Sequence, residues 1–225
     1  MILHLPKILT PDELAQARGH LVGAGWADGR ISSGHQSALA KQNQQLPEDS
    51  PVAKALSRMV LQALARNRAF TGTVLPLRVF PPRFNRYADG GTFGDHIDNT
   101  ILDYPGGLVR GDVSGTLFLA EPSEYDGGDL VIEDTLGSQR IKLPAGDLIV
   151  YPSGSVHRVE PVTRGARLAA FFWVQSMVRD DGQRTLLYDL DRSIGALRQR
   201  GLSGEPEMVM LTGIYHNLLR RWAEV

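Results

Sequence analysis

The stretch Gly94-Asp95-His96-Ile97-Asp98-Asn99-Thr100 decides how this chain is interpreted, because it places a histidine two residues before an aspartate. In a β-strand, side chains at positions i and i+2 project from the same face, so the imidazole of His96 and the carboxylate of Asp98 would point to one place. Both groups are common metal ligands. A His-x-Asp triplet alone is a weak signal, and a metal site needs a third ligand.

The composition limits the classes of protein to be considered. With 225 residues, 42% of them hydrophobic and 22% charged, the chain has the composition of a soluble globular protein with one sizeable core. A formal net charge of −1, from interspersed charges, predicts neither nucleic acid nor an anionic membrane as a partner. The chain has no cysteine, so any metal must be held by nitrogen and oxygen ligands.

The sequence also lacks the signals that direct a chain into or across a membrane. The N-terminal stretch has no charged segment followed by a long apolar run, and no stretch approaches 18 apolar residues. We therefore expect a cytoplasmic protein.

Helix signals precede the middle of the chain. Thr10 followed by Pro11 predicts a helix that runs to about Leu21, and Ser50 followed by Pro51 predicts a second helix. A polar, Gln-rich loop over residues 40–46 is expected between them. The second helix has core-forming apolar residues at helical spacing, namely Val52, Leu56, Met59, Val60, Ala63 and Leu64.

The middle of the chain has a different pattern. From about residue 75 to residue 175, short apolar runs are separated by clusters of Pro, Gly and Asp, as around residues 127–129, 136–138 and 144–147. This spacing predicts an all-β barrel or a double-sheet jelly roll. Beyond Val178 the spacing is helical again, which predicts a small C-terminal helical subdomain. Its apolar positions are Leu186, Leu190, Ile194 and Leu197, then Met208, Leu211, Tyr215 and Leu218.

A third ligand candidate, His157, begins a predicted strand over residues 157–160. A turn is expected over residues 161–165, followed by a strand over residues 166–174. If these two strands pair as a hairpin, Arg167 lies beside His157, within about 5 to 8 Å. Alternation puts Arg167, Phe171 and Trp173 on one face, and an inward arginine needs an anionic partner. A structural salt bridge is the alternative explanation of that arginine.

Two imidazoles and one carboxylate bind Fe(II) on one face and leave three positions open, enough for a bidentate co-substrate and dioxygen. The order His-x-Asp, then a His about sixty residues on, then an Arg ten residues further, resembles the iron(II)/2-oxoglutarate dioxygenases. Residues 87–99 and the stretch Tyr125-Asp126-Gly127-Gly128-Asp129-Leu130 resemble their prolyl-4-hydroxylase branch. With the helical tail added, the chain is similar to the bacterial PKHD-type hydroxylases.

The resemblance implies a fold and a division of the chain. It implies a mainly β protein with a double-stranded β-helix (jelly-roll) core, on which the N-terminal helices pack. We expect this domain to span residues 1–177 and the small C-terminal helical subdomain to span residues 178–225.

The resemblance also implies residue roles. His96, Asp98 and His157 would bind iron and form the catalytic centre, and Arg167 would hold the distal carboxylate of 2-oxoglutarate as a bidentate pair. Tyr87, Thr116 and Trp173 would line the same pocket. Phe118 stands where some prolyl hydroxylases have a second tyrosine that contacts the co-substrate. The hydrogen bond to the distal carboxylate would then come from Tyr87 or Thr116.

The implied activity is hydroxylation of an unactivated C–H bond, with Fe(II), 2-oxoglutarate and dioxygen consumed in a reaction that yields succinate and carbon dioxide, and with ascorbate as a possible reductant. The substrate is left open between peptidyl proline or lysine and a small metabolite, such as an iron chelator. A homo-oligomer is possible. Two other functions remain open at this point: a non-catalytic β-barrel module that binds metal or 2-oxoglutarate, and a cupin-like isomerase or hydrolase that uses zinc or manganese.

Several other residues are assigned no role. His4, His20, His35 and His216 have no carboxylate or histidine at ligand spacing. Ser153 and Ser155 are not part of a Gly-x-Ser-x-Gly elbow, so a serine hydrolase is not expected. Of the two long loops, residues 31–46 and 99–112, one is expected to cover the mouth of the barrel.

Overall fold

The computed structural model describes residues 1–32, 40–104, 106–135 and 137–225. The helices in these ranges are α1 (Pro11–Leu21), α2 (Pro51–Arg66), α3 (Arg68–Val74), α4 (Asp181–Gln199) and α5 (Pro206–Trp222), with 3-10 turns at Gly29–Ser32 and Pro122–Glu124. The strands are β1 (Leu3–Leu5), β2 (Ala27–Asp28), β3 (Lys41–Gln42), β4 (Gln44–Gln45), β5 (Pro76–Val79), β6 (Arg83–Ala88), β7 (Thr92–His96), β8 (Ile101–Tyr104), β9 (Gly107–Arg110), β10 (Val113–Phe118), β11 (Tyr125–Gly127), β12 (Leu130–Asp134), β13 (Gly137–Ile141), β14 (Leu148–Pro152), β15 (His157–Val159) and β16 (Val162–Ser176).

The two N-terminal helices begin where the sequence predicts. At α1, the Thr10 hydroxyl accepts from the backbone N–H of Glu13, and the Glu13 carboxylate accepts from the backbone N–H of Thr10, which is a capping box. At α2, the Ser50 hydroxyl accepts from the backbone N–H of Ala53 at 3.1 Å. These contacts satisfy backbone donors that the first turn of a helix leaves unpaired.

Two antiparallel sheets form the centre of the protein. Within the described residues, the larger sheet has the order β1-β14-β10-β16-β6-β4-β2, with β5 and β11 also paired to β16. The smaller sheet has the order β13-β12-β15-β7-β3, and β8 and β9 form a separate hairpin. This confirms the predicted jelly-roll core.

The larger sheet has apolar packing on both faces. Leu56, Val60 and Leu64 of α2 pack in one cluster with Leu117 and Phe172 of the sheet. Residues on the opposite face of the same strands look toward the smaller sheet. That is why all six residues of β10 are buried, with helices on one side and the inter-sheet space on the other.

The predicted hairpin between residues 157–160 and 166–174 is wrong. Strand β15 pairs with β7 and β12 in the smaller sheet, whereas β16 belongs to the larger sheet. Only two residues separate the strands, so the chain crosses from one sheet to the other there. Gly165 lies inside β16 at φ +71°, where a Cβ would come within 2.0 Å of the Glu124 carbonyl oxygen. Gly165 therefore permits close strand approach and does not form a turn.

The Gln-rich loop expected over residues 40–46 is also wrong in part. This segment contains β3, which pairs with β7, and β4, which pairs with β6. It therefore passes from the smaller sheet to the larger one. Its residues alternate, so that Lys41, Asn43 and Gln45 are buried while Gln42 and Gln44 are exposed. Period-2 alternation is the mark of a strand, although here the inward residues are polar.

Residues 99–112, one of the two loops expected to cover the barrel mouth, contain the β8–β9 hairpin. Leu102 and Val109 on one face of the hairpin pack with Phe80 and Trp173. The other long loop, residues 31–46, lies partly outside the described residues. His35 and the turn residue Leu136 lie wholly outside them. No helix within those residues is long and apolar enough to cross a membrane.

The helices after Val178 pack on each other and on the end of the β domain. Leu187 of α4 is buried with Leu75 and Val178, and Tyr215, Leu218 and Trp222 of α5 pack against this cluster. Arg184, 2% exposed, donates to the backbone carbonyls of Val178 and Arg179. The expectation that Leu186 belongs to the packed face is wrong, because Leu186 is 58% exposed.

The neighbouring leucines of α4 give a matched test of this packing. We expect Leu187→Ala to lower the free energy of unfolding by about 2 to 5 kcal/mol, because it leaves a cavity in a buried cluster. Leu186→Ala, the control, should change it by less than about 0.5 kcal/mol. Urea denaturation followed by circular dichroism measures both. Equal effects of the two substitutions would contradict the assigned helix face.

Candidate metal centre

Three predicted ligands converge between the two sheets. His96 is the last residue of β7, and it lies directly opposite His157, the first residue of β15. One ligand atom from each of His96, Asp98 and His157 lies within 4.8 Å of the other two. The same-face argument for Asp98 does not hold, because β7 ends at His96. Asp98 reaches the cluster from the segment that follows the strand.

Hydrogen bonds to the backbone orient both imidazoles. The Nδ1 atom of His96 lies 2.8 Å from the carbonyl oxygen of Gly94, and the Nδ1 atom of His157 lies 3.0 Å from that of Ser155. Because a carbonyl oxygen only accepts, Nδ1 carries the proton in each ring. The lone pair is then on Nε2, which is the arrangement in which metal-binding histidines are commonly fixed.

The environment of His96 also favours its neutral form. Burial, followed by the neighbouring His157, lowers the pKa of His96 to about 4. The two rings are close, with centroids 4.1 Å apart, and the ring of Phe93 stacks on His96 at 3.6 Å. A neutral imidazole is the form that binds a metal ion.

A pair of serines holds the carboxylate of Asp98. The hydroxyl of Ser114 on β10 lies 2.6 Å from Asp98 Oδ2 and 2.8 Å from the hydroxyl of Ser153. Since an ionised carboxylate only accepts, Ser114 donates to Asp98 and Ser153 donates to Ser114. Both serines are buried. The larger sheet thus orients a candidate ligand that follows a strand of the smaller sheet.

Arg167 lies in the same cavity but is held by the opposite sheet. It is 1% exposed, and its Nε and Nη2 atoms have no hydrogen-bond partner among the described residues. No described carboxylate forms an ion pair with it. The guanidinium carbon lies 5.5 Å from the ring centroid of Tyr87 and 5.2 Å from that of Phe118. The alternative of a structural salt bridge thus finds no partner among the described residues.

Two glycines in the stretch from Tyr125 to Leu130 allow close packing of the backbone beside this arginine. Gly128 has φ +66°, and a Cβ there would meet Val162 at 2.8 Å and the Cδ of Arg167 at 3.2 Å. Gly127 has φ +69°, and a Cβ there would lie 2.1 Å from the carbonyl oxygen of Pro161. Both positions therefore require glycine beside the crossover that leads into β16.

The secondary candidates also line the cavity. Tyr87 on β6, Thr116 on β10 and Trp173 on β16 are all buried lining residues. Burial raises the pKa of Tyr87 to about 12, even though the charge of Arg167 lowers it. The Tyr87 hydroxyl is therefore a protonated donor at neutral pH.

Other lining residues escaped the sequence analysis. They include Lys41, Gln45, Arg83, Asn85, Ser114 and Tyr151. Burial, and then the Asp98 carboxylate, raise the pKa of Tyr151 well above its ordinary value. The sequence signal that could have identified several of these lining residues is the spacing of polar residues by two along a strand. Arg83, Asn85 and Tyr87 are spaced by two on β6, as are Lys41, Asn43 and Gln45 on the Gln-rich segment.

Histidines given no role stay apart from this cavity where the structure describes them. His4, His20 and His216 are exposed, and the Nε2 atom of His4 contacts Asp147 at 2.7 Å. No other group of three metal-ligating side chains is found within the described residues.

The fold and the site together define a class of protein. Residues 82–175 match the family model of the 2OG-Fe(II) oxygenase superfamily, and residues 181–224 match that of the PKHD-type hydroxylase C-terminal domain. The first match spans the strands from β6 to β16, and the second spans α4 and α5. The class is an oxygenase built on a 2OG-Fe(II) domain.

Full-length relatives narrow the class to a family. The chain is 58% identical to a PKHD-type hydroxylase of Xanthomonas euvesicatoria pv. vesicatoria and 58% identical to one of Burkholderia ambifaria, with 100% of both chains covered in each case. The chain belongs to the PKHD-type hydroxylases. It is therefore an enzyme of the hydroxylase type.

Solved structures share the fold at low sequence identity. A prolyl-4-hydroxylase of Pseudomonas putida matches with a TM-score of 0.53 and 20% identity over 78% of this chain and 92% of that one. A prolyl hydroxylase of Trichoplax adhaerens, solved with a peptide of hypoxia inducible factor, matches with a TM-score of 0.56 and 15% identity over 82% and 86%. These likenesses support the jelly-roll architecture and nothing finer.

The donor set fits Fe(II), since two imidazole nitrogens and one carboxylate oxygen lie within 4.8 Å of one another. We expect Asp98→Ala to weaken Fe(II) binding at least tenfold, because two remaining ligands cannot fix an octahedral face. Iron bound under limiting Fe(II), read by a colorimetric chelator after gel filtration, measures the effect. Asp95→Ala is the control, since that carboxylate is 62% exposed and pairs with Arg158. Wild-type iron content in Asp98→Ala would refute the ligand assignment.

Proposed function

We propose that this protein catalyses the Fe(II)- and 2-oxoglutarate-dependent hydroxylation of an unactivated C–H bond, with succinate and carbon dioxide as co-products. The observation that carries the proposal is a buried arginine with no ion-pair partner among the described residues, in the same cavity as a cluster of two histidines and one aspartate. A dicarboxylate that chelates a metal at one end and ends in a second carboxylate would satisfy both groups at once.

In this proposal His96, Asp98 and His157 hold Fe(II), which with 2-oxoglutarate and dioxygen supplies the oxidising chemistry. The backbone carbonyls of Gly94 and Ser155 keep the Nε2 lone pairs directed at the metal. Ser114 and Ser153 keep the Asp98 carboxylate turned toward it. Such supporting hydrogen bonds typically change metal affinity by about 10- to 100-fold.

Arg167 has a different task, which is to hold the distal carboxylate of the co-substrate. Its planar guanidinium offers parallel N–H donors that match a carboxylate. The rings of Tyr87 and Phe118 lie beside the guanidinium and keep water away from it. Because Phe118 has no hydroxyl, a further hydrogen bond to the carboxylate must come from another side chain. Tyr87 and Thr116, both of which line the cavity, are the proposed donors, and Trp173 forms part of the wall.

The site is also proposed to exclude water during the reaction. The β8–β9 hairpin packs Leu102 and Val109 against Trp173. Leu102 and Trp173 line the same cavity as the metal ligand candidates. Its other face exposes Ile101 and Leu108, at 55% and 58%. We propose that this hairpin is the cover of the cavity.

We also propose a substrate, a reductant, a localisation and a domain organisation. The substrate is a peptidyl proline or lysine or a small metabolite, and ascorbate serves as a reductant of the iron. The protein works in the cytoplasm as one globular domain, residues 1–177, with a helical subdomain, residues 178–225, and it can form a homo-oligomer.

The proposed function is tested by comparing the co-substrate preference of the wild-type protein with that of an Arg167 variant. We expect Arg167→Ala to bind Fe(II) normally but 2-oxoglutarate roughly 30-fold to several thousand-fold more weakly, because loss of one partner of a buried charge pair costs about 2 to 5 kcal/mol. Pyruvate, which lacks the distal carboxylate, should bind both proteins with similar affinity. Affinities are read anaerobically from the visible charge-transfer band of the Fe(II)–oxoacid complex.

Two further variants test the charge geometry and serve as a control, namely Arg167→Lys and Arg164→Ala. Arg167→Lys should recover only part of the loss, since an ammonium group cannot reproduce the planar fork. Arg164, three residues earlier, is exposed and pairs with Asp126, so Arg164→Ala should behave as wild type. If the ratio of the affinities for 2-oxoglutarate and pyruvate is the same in wild type and Arg167→Ala, the assigned role of Arg167 is wrong.

A further inference from the structure

The cavity holds two cations that the proposed reaction does not use. Besides Arg167, the described lining residues include Lys41 on β3 and Arg83 on β6, while Asp98 is the one carboxylate among them. A divalent metal and a dianionic 2-oxoacid add no net charge to such a site. The lining is therefore more positive than the iron and its co-substrate require, even after the outlying Glu48, which pairs with Arg83 at 2.7 Å, is counted.

Arg83 lies at the other end of the cavity from Arg167. On the larger sheet, Arg167 is opposite Tyr87, whereas Arg83 is opposite Phe171. These two cross-strand pairs are four residues apart along the strands, which is about 13 Å at 3.3 Å per residue. The guanidinium groups also lie against different rings, that of Arg83 against Phe80 and Trp173. That of Arg167 lies against Tyr87 and Phe118, so the two groups do not converge on one carboxylate.

The outer arginine has donor capacity left. The guanidinium carbon of Arg83 lies 5.7 Å from the ring centroid of Trp173 and 5.0 Å from that of Phe80. Its Nε atom is buried and has no hydrogen-bond partner among the described residues. Glu48, the partner of its Nη2 atom, is 58% exposed, so that ion pair is at the surface and weak.

Lys41 reaches the same region from the smaller sheet. It is 6% exposed, and its ammonium group lies 5.3 Å from the ring centroid of Phe93 and 5.9 Å from that of Phe171. Phe93 stacks on the ligand candidate His96, and Phe171 is the partner of Arg83 in the register. Lys41 thus lies between the metal ligand candidates and the cross-strand pair of Arg83 and Phe171.

The two cations are close enough to repel. Burial, and then the charge of Arg83, lower the pKa of Lys41 to about 8. The carboxylates of Asp98 and Asp28 raise the pKa of Lys41 only in part. An anion placed between two neighbouring cations in a poorly hydrated space would be attracted by both of them. Asn85, two residues from Arg83 on the same face of β6, is 7% exposed, and its side-chain oxygen has no partner among the described residues. A polar group directed into the cavity therefore stands between Arg83 and Tyr87.

We propose that Lys41 and Arg83 bind an oxoanion, a carboxylate or a phosphate, of the molecule that is hydroxylated. This inference rests on the proposed function and assigns its substrate class: a small anionic molecule whose body packs on Phe171 and Trp173. The anion is held on the side of the metal ligands opposite to Arg167, so the substrate and 2-oxoglutarate occupy separate sites. A peptidyl proline within a chain is neutral and gives these two cations nothing to bind.

The test uses full-length protein loaded anaerobically with Fe(II) and saturating 2-oxoglutarate, which occupies Arg167 and the metal. Three probes that share one ring, benzoate, phenyl phosphate and benzamide, are titrated by calorimetry while the charge-transfer band is recorded. We expect at least one of the two anions to bind at least tenfold more tightly than neutral benzamide, with the band retained. The better of the two anions identifies the oxoanion.

Substitutions assign the binding to the two cations. Lys41→Met and Arg83→Gln should each weaken the preferred anion about tenfold or more and leave the 2-oxoglutarate affinity within about twofold. Lys41→Arg should retain most of the binding, which separates loss of charge from loss of folding. Arg86→Gln is the matched control, because Arg86 lies on the other face of β6 and donates to Gln44. It should bind the anion as wild type does.

The outcomes separate this inference from the function on which it rests. If the band forms but neither anion binds more tightly than benzamide, the anion site is wrong and the oxygenase proposal stands. The same conclusion follows if both anions bind equally to wild type, Lys41→Met and Arg83→Gln. If the band does not form in the wild-type protein, the proposed function fails and this inference fails with it.

Discussion

The organisation of this protein depends on one buried charge. The guanidinium of Arg167 is 1% exposed, and no described carboxylate pairs with it. An unpaired buried charge costs several kcal/mol, so the fold must provide compensation. Aromatic faces of Tyr87 and Phe118 give part of it, and a bound dicarboxylate would give the rest. Gly128 leaves space beside the arginine side chain, and Gly127 lets the backbone of Pro161 approach.

Each of the two sheets provides part of the site. The smaller sheet provides His96 and His157 as paired residues, and the larger sheet provides Arg167 together with Ser114, which orients Asp98. The crossover between β15 and β16 is only two residues long, so the spacing between the histidines and the arginine is fixed by the backbone. The Gln-rich segment pairs with both sheets and closes the same cavity from the edge. A site spread over both sheets is positioned by the whole jelly roll and not by one loop.

The sequence was sufficient to predict which side chains of distinctive chemistry lie close together. His96, Asp98 and His157 were found by residue type and spacing, and the caps at Thr10 and Ser50 by local hydrogen bonding. Strand pairing was not predictable, because Pro161 and Gly165 are compatible with a hairpin turn and equally with a crossover. The burial of Lys41 was missed because a Gln-rich stretch with an inward polar face resembles a solvated loop. Leu186 and Leu187 both fit helical spacing, and only packing on Leu75 and Val178 distinguishes them.

We propose that one cavity holds a metal at the histidines and an oxoacid whose far end reaches Arg167. A crystal structure of the anaerobic complex with Fe(II) and 2-oxoglutarate, with anomalous data at the iron edge, would show both contacts. We expect an anomalous peak bonded to His96, Asp98 and His157, and a distal carboxylate within hydrogen-bonding distance of the Arg167 guanidinium. An iron peak elsewhere, or a 2-oxoglutarate whose distal carboxylate points away from Arg167, would contradict it.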